Sequence, residues 1–204
     1  YIKNGIYEKF NGFCTDIWFD EAIKFIKENK NKPFFAYIST NAPHGPFYCP
    51  NNYTRLYENN PSVPNVPFYG MITNIDDNMG KLLSFLEDEN LKNNTILIYM
   101  TDNGTSAGIK WDNRKNKNIG YNFNMKGKKN SEYEGGHRVP FIISWPDANL
   151  AKVKTISKLT AHIYITPTLI DLCGLDNPDI SFDGISLKEL LTKPDTELPE
   201  RTLI

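Results

Sequence analysis

The sequence lacks any apolar run near the ~20 residues that a membrane-spanning helix requires, so no helical membrane span is expected. It also lacks an excess of charge of either sign. Lys and Arg total 23, Asp and Glu total 24, and the formal net charge is -1. Without a basic surplus there is no long-range attraction to a phosphate backbone, and nucleic acid is not an expected partner. Cysteine is scarce. Cys14, Cys49 and Cys173 lie far apart and make neither a disulfide framework nor a metal knuckle. They read as three buried thiols, with one disulfide plus one free thiol as the alternative. Internal repeats and low-complexity linkers are missing too. The chain opens at Tyr1 without a methionine, a signal peptide or a transit pattern. It stops at Arg201-Thr202-Leu203-Ile204 as a strand-like run begins. Both ends raise the expectation of a piece of a larger polypeptide. What is present is the material for a core: 40% of the 204 residues are hydrophobic, which excludes wholesale disorder.

Ile17, Ala22, Phe25 and Ile26 fall near helical spacing and predict a helix over 16–30, which Pro33 ends. The aromatic run 34–40 reads as a buried strand. The loop Asn41-Ala42-Pro43-His44-Gly45-Pro46 follows, enforced by its two prolines. A longer helix is expected over 68–89, with Met71, Ile75, Met79, Leu82, Leu83 and Leu86 on one side. Asp76 and Asp77 belong to its solvated face. Residues 95–100 form a second strand that runs into Thr101-Asp102-Asn103-Gly104-Thr105. Residues 106–130 have no clear period and are expected to be a long surface loop. A third strand is expected at 139–145, a short fourth at 156–159, and helices at 165–172 and 187–191. This rhythm belongs to an α/β domain with a mainly parallel, buried sheet. Ligands of such sheets sit beyond the carboxyl ends of the strands, which points to the loops that start at Asn41 and Asp102.

Four places offer chemistry. Asp102 and Asn103 give a carboxylate and an amide oxygen side by side, hard donors suited to Ca²⁺ or Mg²⁺ rather than zinc. The competing reading is an Asp-Asn-Gly turn whose side chains bond to their own backbone. His44, between Pro43 and Pro46, can hold an anionic oxygen or move a proton, or it is an exposed loop histidine. His137 and His162 carry less: a surface position and a capping or packing position. In the segment 127–140, Gly135 and Gly136 imply unusual backbone angles, and Lys128 or Lys129 can bring a cation to an oxyanion. Lys110, Lys115, Lys117, Lys126, Lys128 and Lys129 together are alternatively a solvated loop or a patch for a polyanion.

Taken in order, these segments resemble the arylsulfatase-type sulfatase family of the alkaline-phosphatase-like superfamily. The resemblance rests on the helix around Asp16, the run 32–46 ending in Pro43-His44-Gly45-Pro46, and the turn Thr101-Asp102-Asn103-Gly104. It rests also on Lys129 followed by Glu134-Gly135-Gly136-His137-Arg138-Val139-Pro140, and on Pro167-Thr168-Leu169 and Asp183-Gly184-Ile185 further on. It implies an alkaline-phosphatase-like α/β fold, with a partial, mainly parallel sheet flanked by helices. Residues 1–175 would be the middle and later part of the catalytic domain, and 176–204 the start of a C-terminal subdomain. It implies that Asp102 and Asn103 hold a divalent cation, calcium or else magnesium, and that His44 and Lys129 contact the sulfate. Lys129 is selected over Lys128 because it stands five residues before Glu134.

The same resemblance implies a sulfuric ester hydrolase acting on a sulfated small molecule or carbohydrate, in an exported protein (periplasmic, extracellular or lysosomal). It implies a formylglycine nucleophile made from a C/S-x-P-S-R segment. None of the three cysteines fits that segment, and Ser62-Val63-Pro64-Asn65-Val66 lacks its arginine. The expectation is therefore a chain that begins after the nucleophile and is inactive alone. Two alternatives stay open: a phosphoryl hydrolase of the same superfamily, and a non-catalytic module that binds acidic or sulfated polymers. Asn103 favours the sulfatase, since the phosphatases of the superfamily typically carry His after this Asp.

Overall fold

The computed structural model describes residues 1–114, 116–151, 155–200 and 202. Lys115 of the lysine cluster, and Arg201, Leu203 and Ile204 of the strand-like end, lie outside the described residues. The chain forms two compact units, Tyr1–Ser144 and Trp145–Ile204.

The first unit opens with a small hairpin, β1 (Ile2–Lys3) and β2 (Ile6–Tyr7). Asn4 and Gly5 turn it with φ of 51° and 82°. An Asn-Gly pair with both φ positive is the usual two-residue hairpin connection, and the pair was there to be read in the sequence. Helix α1 spans Cys14–Asn29 and buries Thr15, Ile17, Phe19 and Ile26. A short helix, α2 (Asn51–Thr54), precedes the long α3 (Val66–Asp88). Asn65 starts α3: its side-chain oxygen accepts from the Phe68 amide at 3.0 Å, and Pro67 sits in the first turn where its missing N–H costs nothing. Phe19 and Ile26 of α1 pack on Leu82 and Leu86 of α3, each side chain contributing roughly 1.5–3 kcal/mol by burial. Leu83, expected on the inner side, is 38% exposed.

A polar clamp crosses the same helix pair. One carboxylate oxygen of Asp16 accepts from the amides of Asn74 and Asn78, both at 2.7 Å. Asn78 also donates to the Asn74 carbonyl at 2.8 Å. Both asparagines are buried, so their donors depend on Asp16.

Residues 34–40 are not a strand in a ladder, contrary to expectation. The segment alternates: Phe34, Ala36 and Ile38 pack on the α1–α3 core, while Phe35 and Tyr37 are exposed. One face is covered by helices, and no strand among the described residues forms a ladder with it. Strand β3 (Leu97–Met100) runs antiparallel to β6 (Phe141–Ser144), with Leu97 opposite Ser144 and Met100 opposite Phe141. All ladders among the described residues are antiparallel, so the parallel character expected of the sheet is not found in them. A parallel ladder needs a crossover that brings the next strand in the same direction, and β6, after the β4–β5 hairpin and α4, runs back beside β3 in the opposite direction.

The stretch 106–130, expected as a loop, contains a hairpin of β4 (Ile109–Asp112) and β5 (Lys117–Gly120). Ile109 and Trp111 share a face, but strands of four residues that also carry Lys, Asp and Asn are too short to show a period. Glu134–His137 is a single helical turn, α4.

The second unit holds a 3₁₀ turn (His162–Tyr164), α5 (Ile165–Cys173) and α6 (Lys188–Thr192). Gly174, at φ 61°, ends α5 in the left-handed conformation. Tyr164, Leu187 and Leu190 form the core. Thr168 ties it together: its hydroxyl donates to the Tyr164 carbonyl and accepts from the Leu187 amide at 2.8 Å. The strand expected at 156–159 forms no ladder; Ile156 packs on this core instead.

All three cysteines are free thiols, and only Cys49 is buried; Cys14 is half-buried and Cys173 exposed. Burial pushes the Cys49 thiol up to about 11. A raised acid pKa means less thiolate at any given pH. At pH 8, an alkylating reagent should therefore modify Cys173 readily and leave Cys49 untouched until the chain unfolds, as peptide mass mapping would read. Asp16→Ala strands two buried amides, so the urea midpoint should fall by the equivalent of roughly 2–3 kcal/mol. Asp16→Asn, which keeps an acceptor oxygen, should lose less.

Candidate active site

The turn 101–105 leaves the end of β3 and is held by its own side chains. The Thr101 hydroxyl donates to the Asn103 carbonyl at 3.3 Å, and the Asn103 amide donates to the Gly104 carbonyl at 3.1 Å. That bond uses the nitrogen of Asn103 and leaves Oδ1 unengaged among the described residues. Asp102 is exposed, and its carboxylate has neither a hydrogen bond nor an ion pair among the described residues. The self-bonded turn and the oxygen-donor turn are thus compatible: the turn is held by Thr101 and the Asn103 amide, and the Asp102 carboxylate and Asn103 Oδ1 are left unengaged among the described residues.

Backbone contacts clasp this turn to the lysine segment. The Gly104 amide donates to the Gly136 carbonyl at 2.8 Å, and the Lys129 amide donates to the Thr105 carbonyl at 3.0 Å. The approach is too close for a side chain. A Cβ on Gly104 would lie 1.9 Å from the Gly135 carbonyl oxygen. A Cβ on Gly135 would lie 2.2 Å from the Gly127 oxygen, and one on Gly136 2.1 Å from the Ser131 oxygen. Gly135 and Gly136 were expected to supply unusual angles. Neither has a positive φ; they are needed because three backbone segments meet with no room for a methyl group. Gly127, at φ 82°, does need its freedom.

The three lysines here differ. The Lys126 ammonium lies 3.7 Å from the centre of the Tyr133 ring, a cation–π contact. Lys128 is exposed. Lys129 is half-buried, anchored through its own amide, and its ammonium makes no ion pair among the described residues. The site therefore presents a carboxylate, an amide oxygen and an ammonium on one clasped pair of segments.

His44 stands on the other loop. It is exposed, and its Nδ1 donates to the Gly45 carbonyl at 2.8 Å, which leaves Nε2 to accept or give a proton. The loop is seated by buried Ala42 against Met71 and Cys49, and by Trp18, whose indole N–H donates to Asn41 Oδ1 at 3.4 Å. No hydrogen bond among the described residues joins His44 to the Asp102 turn. The connection runs through aromatic packing. The Phe47 ring meets Phe68 edge-on at 5.9 Å, and Phe68 lies 3.3 Å from where a Gly108 Cβ would stand. Among the described residues, no group of three or more His, Cys, Asp or Glu is arranged to hold a metal ion.

Sequence reasoning missed the residues that hold these loops. Tyr69 is the main one. Its hydroxyl donates to the Gly108 carbonyl at 2.8 Å and accepts from the Tyr121 amide at 3.2 Å, pinning the base of the β4–β5 hairpin to α3. The Asn65 cap, which orients Phe68 and Tyr69, was visible as an Asn just before a Val-Pro helix start.

The family model described as Sulfatase matches residues 2–175. Human N-acetylgalactosamine-6-sulfatase is 30% identical over 176 residues, covering 85% of this chain and 31% of that protein. An arylsulfatase of Hemicentrotus pulcherrimus is 26% identical over 179 residues, covering 87% of this chain and 30% of that one. The chain thus spans about a third of the length of the curated relatives it matches. The crystal structure of Ps i-CgsB in complex with k-i-k-neocarrahexaose is similar at a TM-score of 0.81 and 29% identity, covering 94% of this chain and 41% of that chain. BT4656 in complex with D-glucosamine-2-N,6-O-disulfate is similar at a TM-score of 0.75 over 94% of this chain and 54% of that chain; at 19% identity this likeness speaks for the fold alone. Both likenesses carry the alkaline-phosphatase-like α/β fold expected from the sequence.

Gly104→Ala tests the clasp. It should lower the unfolding free energy by roughly 1–3 kcal/mol through overpacking against fixed backbone. Gly80→Ala, in α3 with nothing within 4 Å of the new methyl group, should instead raise it by roughly 0.5–1 kcal/mol. Thermal or urea unfolding of both variants reads the contrast.

Proposed function

The chain belongs to the sulfatase family, and we propose that it serves an enzyme that hydrolyses a sulfate ester, R–O–SO₃⁻ plus water giving R–OH, sulfate and a proton. The observation that carries this reading is the clasp that holds the unpaired Asp102 carboxylate, Asn103 Oδ1 and the Lys129 segment together. A sulfate ester requires cations around its oxygens, and this is where they would be arranged.

Asp102 and Asn103 would hold a divalent cation. Their donor chemistry fits calcium, which takes about six to eight oxygen ligands, or magnesium in a tighter octahedron; the rest of the shell would come from other groups. A cation bound there supplies charge to offset the sulfate and fix its orientation. The Lys129 ammonium would sit on a sulfate oxygen and neutralise the charge that grows as the S–O bond breaks. His44, through Nε2, would bind a second oxygen or pass a proton to the departing alcohol. Fixing the Nδ1 proton on the Gly45 carbonyl leaves that nitrogen in a defined state for the task. The nucleophile, a formylglycine by resemblance, lies outside these motifs and is given no step here. The substrate would be a sulfated small molecule or carbohydrate. Residues 1–175 would be part of the catalytic domain and 176–204 the start of a C-terminal subdomain, in an exported protein. No helix among the described residues is long and apolar enough to cross a membrane.

With no C/S-x-P-S-R segment in the sequence, the 204-residue chain alone should turn over no aryl sulfate. Joined to a nucleophile-bearing segment of the family, it should do so. In that protein Lys129→Ala and Asp102→Ala should each lower kcat/KM by about 10²–10³-fold, the usual effect of removing one charge-stabilising group. Calorimetric titration should show calcium binding lost in Asp102→Ala and kept in Lys129→Ala. Turnover by the chain alone, or a preference for phosphate over sulfate esters, would count against the reading.

A further inference from the structure

We infer that Tyr69 is a positioning residue of the sulfate site: its hydroxyl holds the 105–108 turn and, through Thr105, sets where Lys129 stands. The inference rests on the sulfate-ester reading and adds to it a residue that touches no substrate. Three hydrogen bonds in series carry it. The Tyr69 hydroxyl donates to the Gly108 carbonyl at 2.8 Å. The Gly108 amide donates to the Thr105 hydroxyl oxygen at 2.8 Å. The Thr105 carbonyl accepts from the Lys129 amide at 3.0 Å. The series begins on α3 and ends on the residue that would meet the sulfate.

The helical end of the series is fixed. The Tyr69 oxygen also accepts from the Tyr121 amide at 3.2 Å, and that amide reaches the Gly108 carbonyl at 3.0 Å, so the three groups close on one another. Burial pushes the Tyr69 phenol above its ordinary value, which keeps the hydroxyl protonated and able to donate at neutral pH. The ring meets Tyr57 edge-on, with centres 5.5 Å apart. The Tyr57 hydroxyl is itself bonded to Thr73 Oγ1 at 2.6 Å, one turn further along α3. Tyr69 is therefore held on two sides and does not follow a turn that moves.

Nothing between these bonds absorbs a displacement. A Cβ on Gly108 would lie 2.4 Å from Thr105 Oγ1, and one on Gly120 would lie 2.0 Å from the Gly108 oxygen. Backbone meets backbone here, as it does where Gly104 crosses Gly136. Without the Tyr69 hydroxyl, the 105–108 turn can pivot about the Gly104 clasp, and the Lys129 amide moves with Thr105. Lys129 is assigned the charge that grows as the S–O bond breaks, so its displacement weakens the transition state more than the bound ester.

Amide hydrogen exchange of the full chain, read residue by residue by NMR, tests the link without turnover. Tyr69→Phe removes one hydroxyl and keeps the ring. The Lys129 amide should then exchange about three- to tenfold faster, the range that the net worth of one hydrogen bond allows. Tyr57→Phe loses a similar bond on the same helix and should leave the Lys129 amide unchanged. Thr105→Val, which removes the middle acceptor, should act like Tyr69→Phe, and Thr105→Ser should restore protection. Tyr69→Phe should add nothing in the Thr105→Val background, since both cut one series. An unchanged Lys129 amide in Tyr69→Phe, equal quickening in Tyr57→Phe, or multiplying effects of Tyr69→Phe and Thr105→Val would overturn the inference. In the enzyme completed by a nucleophile-bearing segment, Tyr69→Phe should lower kcat about three- to tenfold with KM held, and cost nothing further beside Lys129→Ala. The same loss in that background would also overturn it. An inactive completed enzyme counts against the sulfate-ester reading alone, and the exchange result then decides the link.

Discussion

One backbone hydrogen bond organises the site: Gly104 N–H to Gly136 C=O. It exists only because neither partner carries a side chain at the crossing, where a Cβ on Gly104 would stand 1.9 Å from the next carbonyl oxygen. Everything chemical is hung from it. The turn on one side carries Asp102 and Asn103; the segment on the other carries Lys129. Side chains on flexible loops would otherwise spend conformational entropy each time they met an anion. Here backbone packing between glycines settles their relation in advance, which is the kind of preorganisation that charge stabilisation in catalysis requires.

The helix pair α1–α3 supports the clasp from below. Its apolar half is ordinary: Phe19, Ile26, Leu82 and Leu86 remove their surface from water. Its polar half is more specific. The clamp of Asp16 on Asn74 and Asn78 fixes how the two helices are set along each other, since a slip of one turn would leave two buried amides without acceptors. The first turn of α3 then hands that setting to the loops. Phe68 wedges toward Gly108 and Phe47, and Tyr69 reaches Gly108 and Tyr121.

Some of this could be read from sequence and some could not, for physical reasons. Helices α1, α3, α5 and α6 were expected within about two residues of where they lie, because a buried stripe with a 3.6-residue period leaves a strong pattern. Strands β3 and β6 were expected for the same kind of reason. The β4–β5 hairpin was hidden because Lys110, Trp111, Asn118 and their neighbours bury little. Residues 34–40 misled in the opposite direction: the composition is that of a two-sided buried strand, but burial depends on neighbours that composition does not supply. Gly135 and Gly136 show a third case. Their importance was evident, and the cause assigned to it was a backbone angle when it is a lack of space. Tyr69 gave no sign at all, since a tyrosine in an amphipathic helix looks like packing until its hydroxyl partners are seen.

The extended segment 34–40 has a consequence for how the chain behaves in company. None of the peptide N–H and C=O groups of residues 34–39 is bonded to another part of the chain among the described residues. Beside them lies an open apolar groove of about 410 Å³, lined by Trp18, Ala22, Phe25, Phe35 and Tyr37. Water can satisfy those groups, but another extended strand satisfies them better and covers the aromatic rings as well. Residues 34–39 are therefore an open edge of this unit, of the kind that folds keep covered or interrupted.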